Sequence, residues 1–265
     1  NDAYDRLYEW VGQHCLNETL WAKGYLDIRL THRLSQPMSL ENNRYTNEFV
    51  FYVEDGEIFR QPSQFSKEIF SVTSPILKGV GEVVDGVFKK KPKDFTGLNM
   101  VSVRILQDLM KAVVMPECLP VDRRFAISPD DRRFLLKVMS MLQFECNYPI
   151  YDRSKYYDSY VKFLMFGDSK NHIPSEIRIF NKAGLAYGYL IDNAYIVDLK
   201  RGVEFFLTVV ISVNKNGIYN DGKYEYDELG FPFLSHIGRA VYEYETKRKR
   251  PHKADLSEFD FIGIR

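Results

Sequence analysis

The triplet Lys182-Ala183-Gly184 is where this sequence most plainly groups residues that chemistry can use: a cation, a small side chain and a glycine in succession. It falls between two β-rich stretches, 176–180 and 185–197. As residue types, a lysine can meet a carboxylate or pass a proton, and a glycine can let another group approach the backbone closely. A serine serves as a nucleophile only with a base beside it, because a hydroxyl is barely ionised at neutral pH. Ser212-Val213-Asn214-Lys215 has a serine and a lysine at Ser-x-x-Lys spacing, at the end of a β-rich stretch, and it is read as a coincidence.

Other chemistries find less in the sequence. His14, His32, His172, His236 and His252 lie on separate elements with no HExxH pattern, so no metal site is expected. Cys15, Cys118 and Cys146 are far apart and odd in number, and they identify neither a metal site nor a redox compartment. No glycine-rich phosphate loop, GxSxG elbow or dinucleotide fingerprint occurs, and no cofactor is expected. Lysine plus arginine equals aspartate plus glutamate at 36 each, so no net field draws nucleic acid or an anionic membrane. The basic runs Lys89 to Lys93 and Lys247 to Arg250 read as solvated faces. No apolar run has membrane-span length, and no targeting segment is read at Asn1, so the chain reads as trimmed. Nothing here speaks to oligomeric state.

The elements that must position the triplet follow from periodicity. Leu7, Tyr8, Val11 and Cys15 have helical spacing, and Asn17 is expected to cap a second short helix that stops at Gly24. Phe49, Phe51 and Val53 alternate toward an Asp55-Gly56 turn, which predicts a β-hairpin near 48–60. Residues 79–100 read as irregular connection, and helices are predicted over 103–114 and from Ser128-Pro129 to about Leu142. The tyrosines of 147–160 read as packing, and 161–166 as a helical stretch ending at Gly167. Strands follow over 176–180, 185–197 and 203–213, and a helix from Pro232 to about Thr246 is placed to cover them. The whole is one α+β domain over 1–265, with a mainly helical region over 1–170 and antiparallel strands with a C-terminal helix over 171–250.

In this setting the triplet resembles the Lys-Thr-Gly strand of the class A β-lactamases and penicillin-binding proteins. The likeness rests on Ile173-Pro174 ahead of the strand, Lys182-Ala183-Gly184 within it, Tyr187-Gly188, Asp192-Asn193-Ala194, and the apolar strand Val203 to Ile211. Asn1-Asp2-Ala3-Tyr4-Asp5-Arg6-Leu7 with Val11-Gly12 resembles the helix after that family's Ser-Asp-Asn motif. Gly24 with Thr31-His32-Arg33-Leu34 resembles the approach to its omega loop, and the paired helices at 100–114 and 128–141 have counterparts there too. Residues 44–98 exceed what a compact member needs.

The resemblance implies a β-lactamase/transpeptidase-like fold whose N-terminal part, with the Ser-x-x-Lys nucleophile, is missing from this chain. It implies an extracytoplasmic, periplasmic hydrolase of β-lactams or cell-wall peptides acting through an acyl-enzyme. Lys182 would favour the substrate carboxylate, and Asn1 would hold the substrate amide. Gly184 would admit the ligand, and the backbone N–H of Leu185 would be one oxyanion donor. Ala183 stands where relatives carry a hydroxyl that contacts the carboxylate. The deacylating glutamate has no counterpart in register at Ser35-Gln36-Pro37-Met38, which leaves Glu41 slightly downstream. Plainer readings stay open: a solvated strand lysine at Lys182, a bulge at Gly184, a solvent-facing terminal residue at Asn1, a surface carboxylate at Glu41, an inert relative kept for binding or scaffolding, and an unrelated α+β protein in which the triplet is accidental.

Overall fold

The computed structural model describes residues 2–68, 70 and 74–262. The chain is a mixed α+β protein of helices and small, mainly antiparallel sheets. Contacts divide it into two compact units, residues 1–80 with 91–105, and residues 81–90 with 106–265.

In the first unit, α1 (Asp2–Val11) and α2 (Gln13–Ala22) meet at Gly12, whose φ of 81° most side chains avoid. Asn17 is not the cap expected from its type. It lies in the middle of α2, fully buried, donating to the carbonyls of Gln13 (2.7 Å) and Leu30 (2.9 Å) and accepting from the Leu30 N–H (2.8 Å). The predicted hairpin forms as Phe49–Val53 and Gly56–Gln61. Two-residue strands pair Ile28–Arg29 with Met100–Val101, Tyr45–Thr46 with Gln64–Phe65, and Leu77–Lys78 with Lys93–Asp94. The stretch read as irregular connection therefore holds several strands, each too short for alternation to show.

The second unit is built on a three-stranded antiparallel sheet. The motif strand (Ile177–Ala186) pairs with a central strand (Tyr189–Asp198), which pairs with an outer strand (Val203–Ser212). The expected gap at 181–184 is absent, so the lysine triplet is itself in the strand, with no shift of register and hence no bulge at Gly184. The strand expected over 185–197 is instead broken at Tyr187 and Gly188, which close the hairpin with φ of 55° and 77°, both positive as a type I′ turn requires. One sheet face packs Ile177, Ile179, Leu190, Ala194 and Ile196 with Leu234 of the C-terminal helix (Phe231–Lys247). The other packs Phe180, Tyr195 and Val197 against Met110 and Val114 of α3 (Val103–Val114) and Leu136 of α4 (Pro129–Ser140). Each such fully buried aliphatic or Phe side chain contributes about 1.5–3 kcal/mol. Ser128 caps α4, accepting from the Asp131 N–H, with Pro129 at the first position as its sequence predicts.

Residues 161–166 depart from the expected helix. Leu164 has ψ of 131° and Met165 has φ of 70°, so Phe163–Phe166 is an irregular turn. The reason lies at Asp192, whose carboxylate accepts from the N–H groups of Phe163 (3.0 Å) and Leu164 (3.1 Å). Tertiary bonds replace the helical ones. The tyrosines before this turn pack edge to face, Tyr151 on Tyr156 and Tyr156 on Tyr160. Among the described residues no helix is long and apolar enough to cross a membrane.

Candidate functional site

The antiparallel register fixes what the motif strand presents. A two-residue turn makes Ala186 and Tyr189 a hydrogen-bonded pair, and pairs alternate from there. Gly184–Ile191 and Lys182–Asn193 are then bonded pairs, whereas Ala183 and Leu185 turn their N–H and C=O groups away from the central strand. Ile179 shares that parity, and its outward carbonyl is taken by the Lys162 Nζ at 2.8 Å. Within this unit the outer edge of the strand is thus occupied near Ile179 and Asn181, and among the described residues it pairs with no further strand.

Lys182 is exposed, and its cross-strand neighbour Asn193 is buried, donating to the Leu106 carbonyl and accepting from the Thr208 hydroxyl, both at 2.8 Å. Ala183 packs on the hydrophobic cluster beneath, and Leu185 is 52 % exposed. A Cβ at Gly184 would meet only Ile191 Cγ2, at an ordinary 3.6 Å. Packing within the chain therefore does not require glycine at this position.

Beneath the triplet lies a buried ionic network that the sequence reading passed over. Lys162, fully buried, donates to the carbonyls of Met139 (2.6 Å) and Ile179 (2.8 Å) and to Asn181 Oδ1 (2.7 Å). Asn181 Nδ2 donates in turn to the Val161 carbonyl and to Asp192 Oδ1, both at 2.7 Å. Burial holds the Lys162 ammonium below the usual lysine range despite the Asp192 carboxylate, and burial pushes Asp192 up. Nearby, Arg178 pairs with Glu145 at 3.1 Å. The available signal was Lys162 and Asp192 in otherwise apolar segments.

Lys162 also completes Ser159-Tyr160-Val161-Lys162, a second Ser-x-x-Lys that the sequence reading missed. It is not set up as a nucleophile and base. The Ser159 hydroxyl is buried and donates to the Ser169 carbonyl, while the three Lys162 protons go to Met139, Ile179 and Asn181. Ser212-Val213-Asn214-Lys215 fares no better, since Ser212 is exposed at the end of the outer strand and its partner across the sheet is Tyr189.

Asn1 lies outside the described residues. Glu41 belongs to the first unit, is exposed, and pairs with Arg44 at 2.9 Å. Lys182, Ala183, Gly184 and Leu185 stand together, as consecutive residues of one strand. No family model, curated protein or solved structure matches the chain.

Proposed function

We propose that the chain is part of a β-lactamase-like or penicillin-binding-protein-like serine hydrolase, a periplasmic enzyme that acts on β-lactams or cell-wall peptides through an acyl-enzyme. The observation that carries this is the exposed Lys182 beside a glycine with no packing reason to be one, on the open edge of an antiparallel sheet. Lys182 would attract the substrate carboxylate, and Gly184 would leave room for substrate against the strand. The Leu185 N–H, directed outward by register, would stabilise a developing oxyanion. In this reading the acylating serine comes from a Ser-x-x-Lys segment outside these 265 residues, and Asn1 belongs to the Ser-Asp-Asn motif.

A second reading, an inert relative that keeps the fold for binding or scaffolding, draws on two observations. Ala183 offers no hydroxyl to a carboxylate, and Glu41 is engaged by Arg44.

Intact mass after incubation with a penicillin separates the two. The chain is expressed with the coding sequence upstream of Asn1, alongside the 265 residues alone and the long form carrying Lys182→Ala. An adduct on the long form only, slowed at least tenfold by Lys182→Ala, is the expected result. No adduct on any form rejects β-lactam acylation and favours the inert reading.

A further inference from the structure

Sequence spacing gives His14 no HExxH partner, but folding brings two carboxylates to it. Glu18 lies one helical turn along α2, where i and i+4 side chains share a face. Glu68 reaches the same spot from the segment after Phe65, its carboxylate 2.9 Å from His14 Nδ1. One ligand atom from each of His14, Glu18 and Glu68 lies within 4.8 Å of the others.

Both arms are anchored. Asn17 and Trp21 tie α2 to the carbonyls of Leu30 and Ile28 at 2.9 and 2.8 Å. Buried Ser66 donates its N–H to the Arg44 carbonyl at 2.9 Å, and its hydroxyl accepts from the Glu68 N–H at 3.3 Å. A histidine–glutamate pair alone accounts for half of this arrangement. It leaves a second carboxylate at the same point, and among the described residues no lysine or arginine pairs with Glu18 or Glu68. Two carboxylates converging on one imidazole form a donor set that a cation would complete.

We propose that His14, Glu18 and Glu68 form a zinc site that fastens α2 to the segment around Glu68. One imidazole nitrogen and two carboxylate oxygens suit Zn²⁺, and they balance its charge. Magnesium and calcium prefer all-oxygen shells. Tetrahedral coordination sets ligand atoms about 3.3 Å apart, so a set already within 4.8 Å has little distance to close. Water takes the fourth position.

The test is calorimetric titration of the untagged chain with zinc chloride, with His14→Ala, Glu68→Gln and Cys15→Ser variants alongside and circular dichroism confirming that each is folded. The expected result is one equivalent bound per chain, undiminished by excess magnesium and by Cys15→Ser. Affinity should fall at least about tenfold in His14→Ala and in Glu68→Gln, since even outer-shell changes cost that much. Absence of binding to the parent chain overturns the proposal. So does binding that survives both ligand variants, or binding that Cys15→Ser abolishes.

Discussion

The two units are held together by different means. The second buries long apolar strands on both faces of one sheet, with Phe180, Tyr195, Ile196 and Leu190 fully covered. The first has strands mostly of two residues, and buried polar side chains do the joining. Asn43 accepts from the Arg33 N–H (2.9 Å) and donates to the Ser39 carbonyl (2.9 Å), and Asn99 Oδ1 accepts from the Thr31 N–H at 2.6 Å. Asp5 holds the N–H groups of Leu34 and Ser35 at 2.7 and 3.0 Å. Apolar burial is non-directional and tolerates variation, whereas a side chain that replaces a backbone partner works only in one geometry. The contrast teaches that a region with little regular structure can still be closely specified.

Lys162 is the exception that most sharply tests this contrast, because it puts a polar joint inside the apolar unit. Lys162→Met should destabilise the chain by about 3–5 kcal/mol, since it strands Asp192 and Asn181 in the interior. Chemical denaturation measures this. The pH dependence has a definite sign. Burial lowers the folded pKa of Lys162, so the unfolded chain binds more protons as pH approaches the free lysine value of about 10.4. The stability of the parent chain relative to Lys162→Met should therefore rise with pH over that interval. A flat difference would mean that the ammonium keeps its charge without cost.

A smaller effect, about 1–3 kcal/mol, is expected for Asn43→Ala, which leaves the Arg33 N–H without its partner. Hydrogen exchange should show the loss in amides of residues 29–46, with the sheet of the second unit unchanged. Uniform loss of protection would mean that the two regions do not differ in the way described. The smallest effect is at Gly184. Gly184→Ala should leave the melting temperature within about 1 °C, because the added methyl meets only ordinary contact and an effect near zero on ΔG moves the midpoint little. A clear destabilisation would return Gly184 to a purely structural role.

The same contrast explains what could be read from the sequence. Helices 103–114 and 129–140, the hairpin at 49–61, the strand at 203–212 and the C-terminal helix follow from periodicity and caps, because burial of one face imposes a period, whereas the turn at Tyr187-Gly188 falls inside the stretch 185–197 that reads as one strand. The short strands of 77–101 carry no period. Asn17 misled because asparagine is a good cap, and only the fold reveals that its amide serves Leu30. The site was legible to the extent that it is consecutive: Lys182, Ala183, Gly184 and Leu185 share a strand. Lys162, Asn181 and Asp192, and the convergence of Glu68 on His14, depend on contacts across 11 to 54 positions, which no local pattern records.

The turn at Tyr187-Gly188 has a consequence for the whole sheet. The Gly188 N–H donates to the Tyr226 hydroxyl at 2.8 Å, and its carbonyl accepts from the Val213 N–H at 2.7 Å. The tip is pinned from two directions, and it sets the phase from which every later position is counted. A slip of one residue would carry the Lys182 side chain into the interior and expel Asn181 from its bonds with Lys162 and Asp192. Ten paired positions thus have a single shared origin, and an error there would be inherited by all of them.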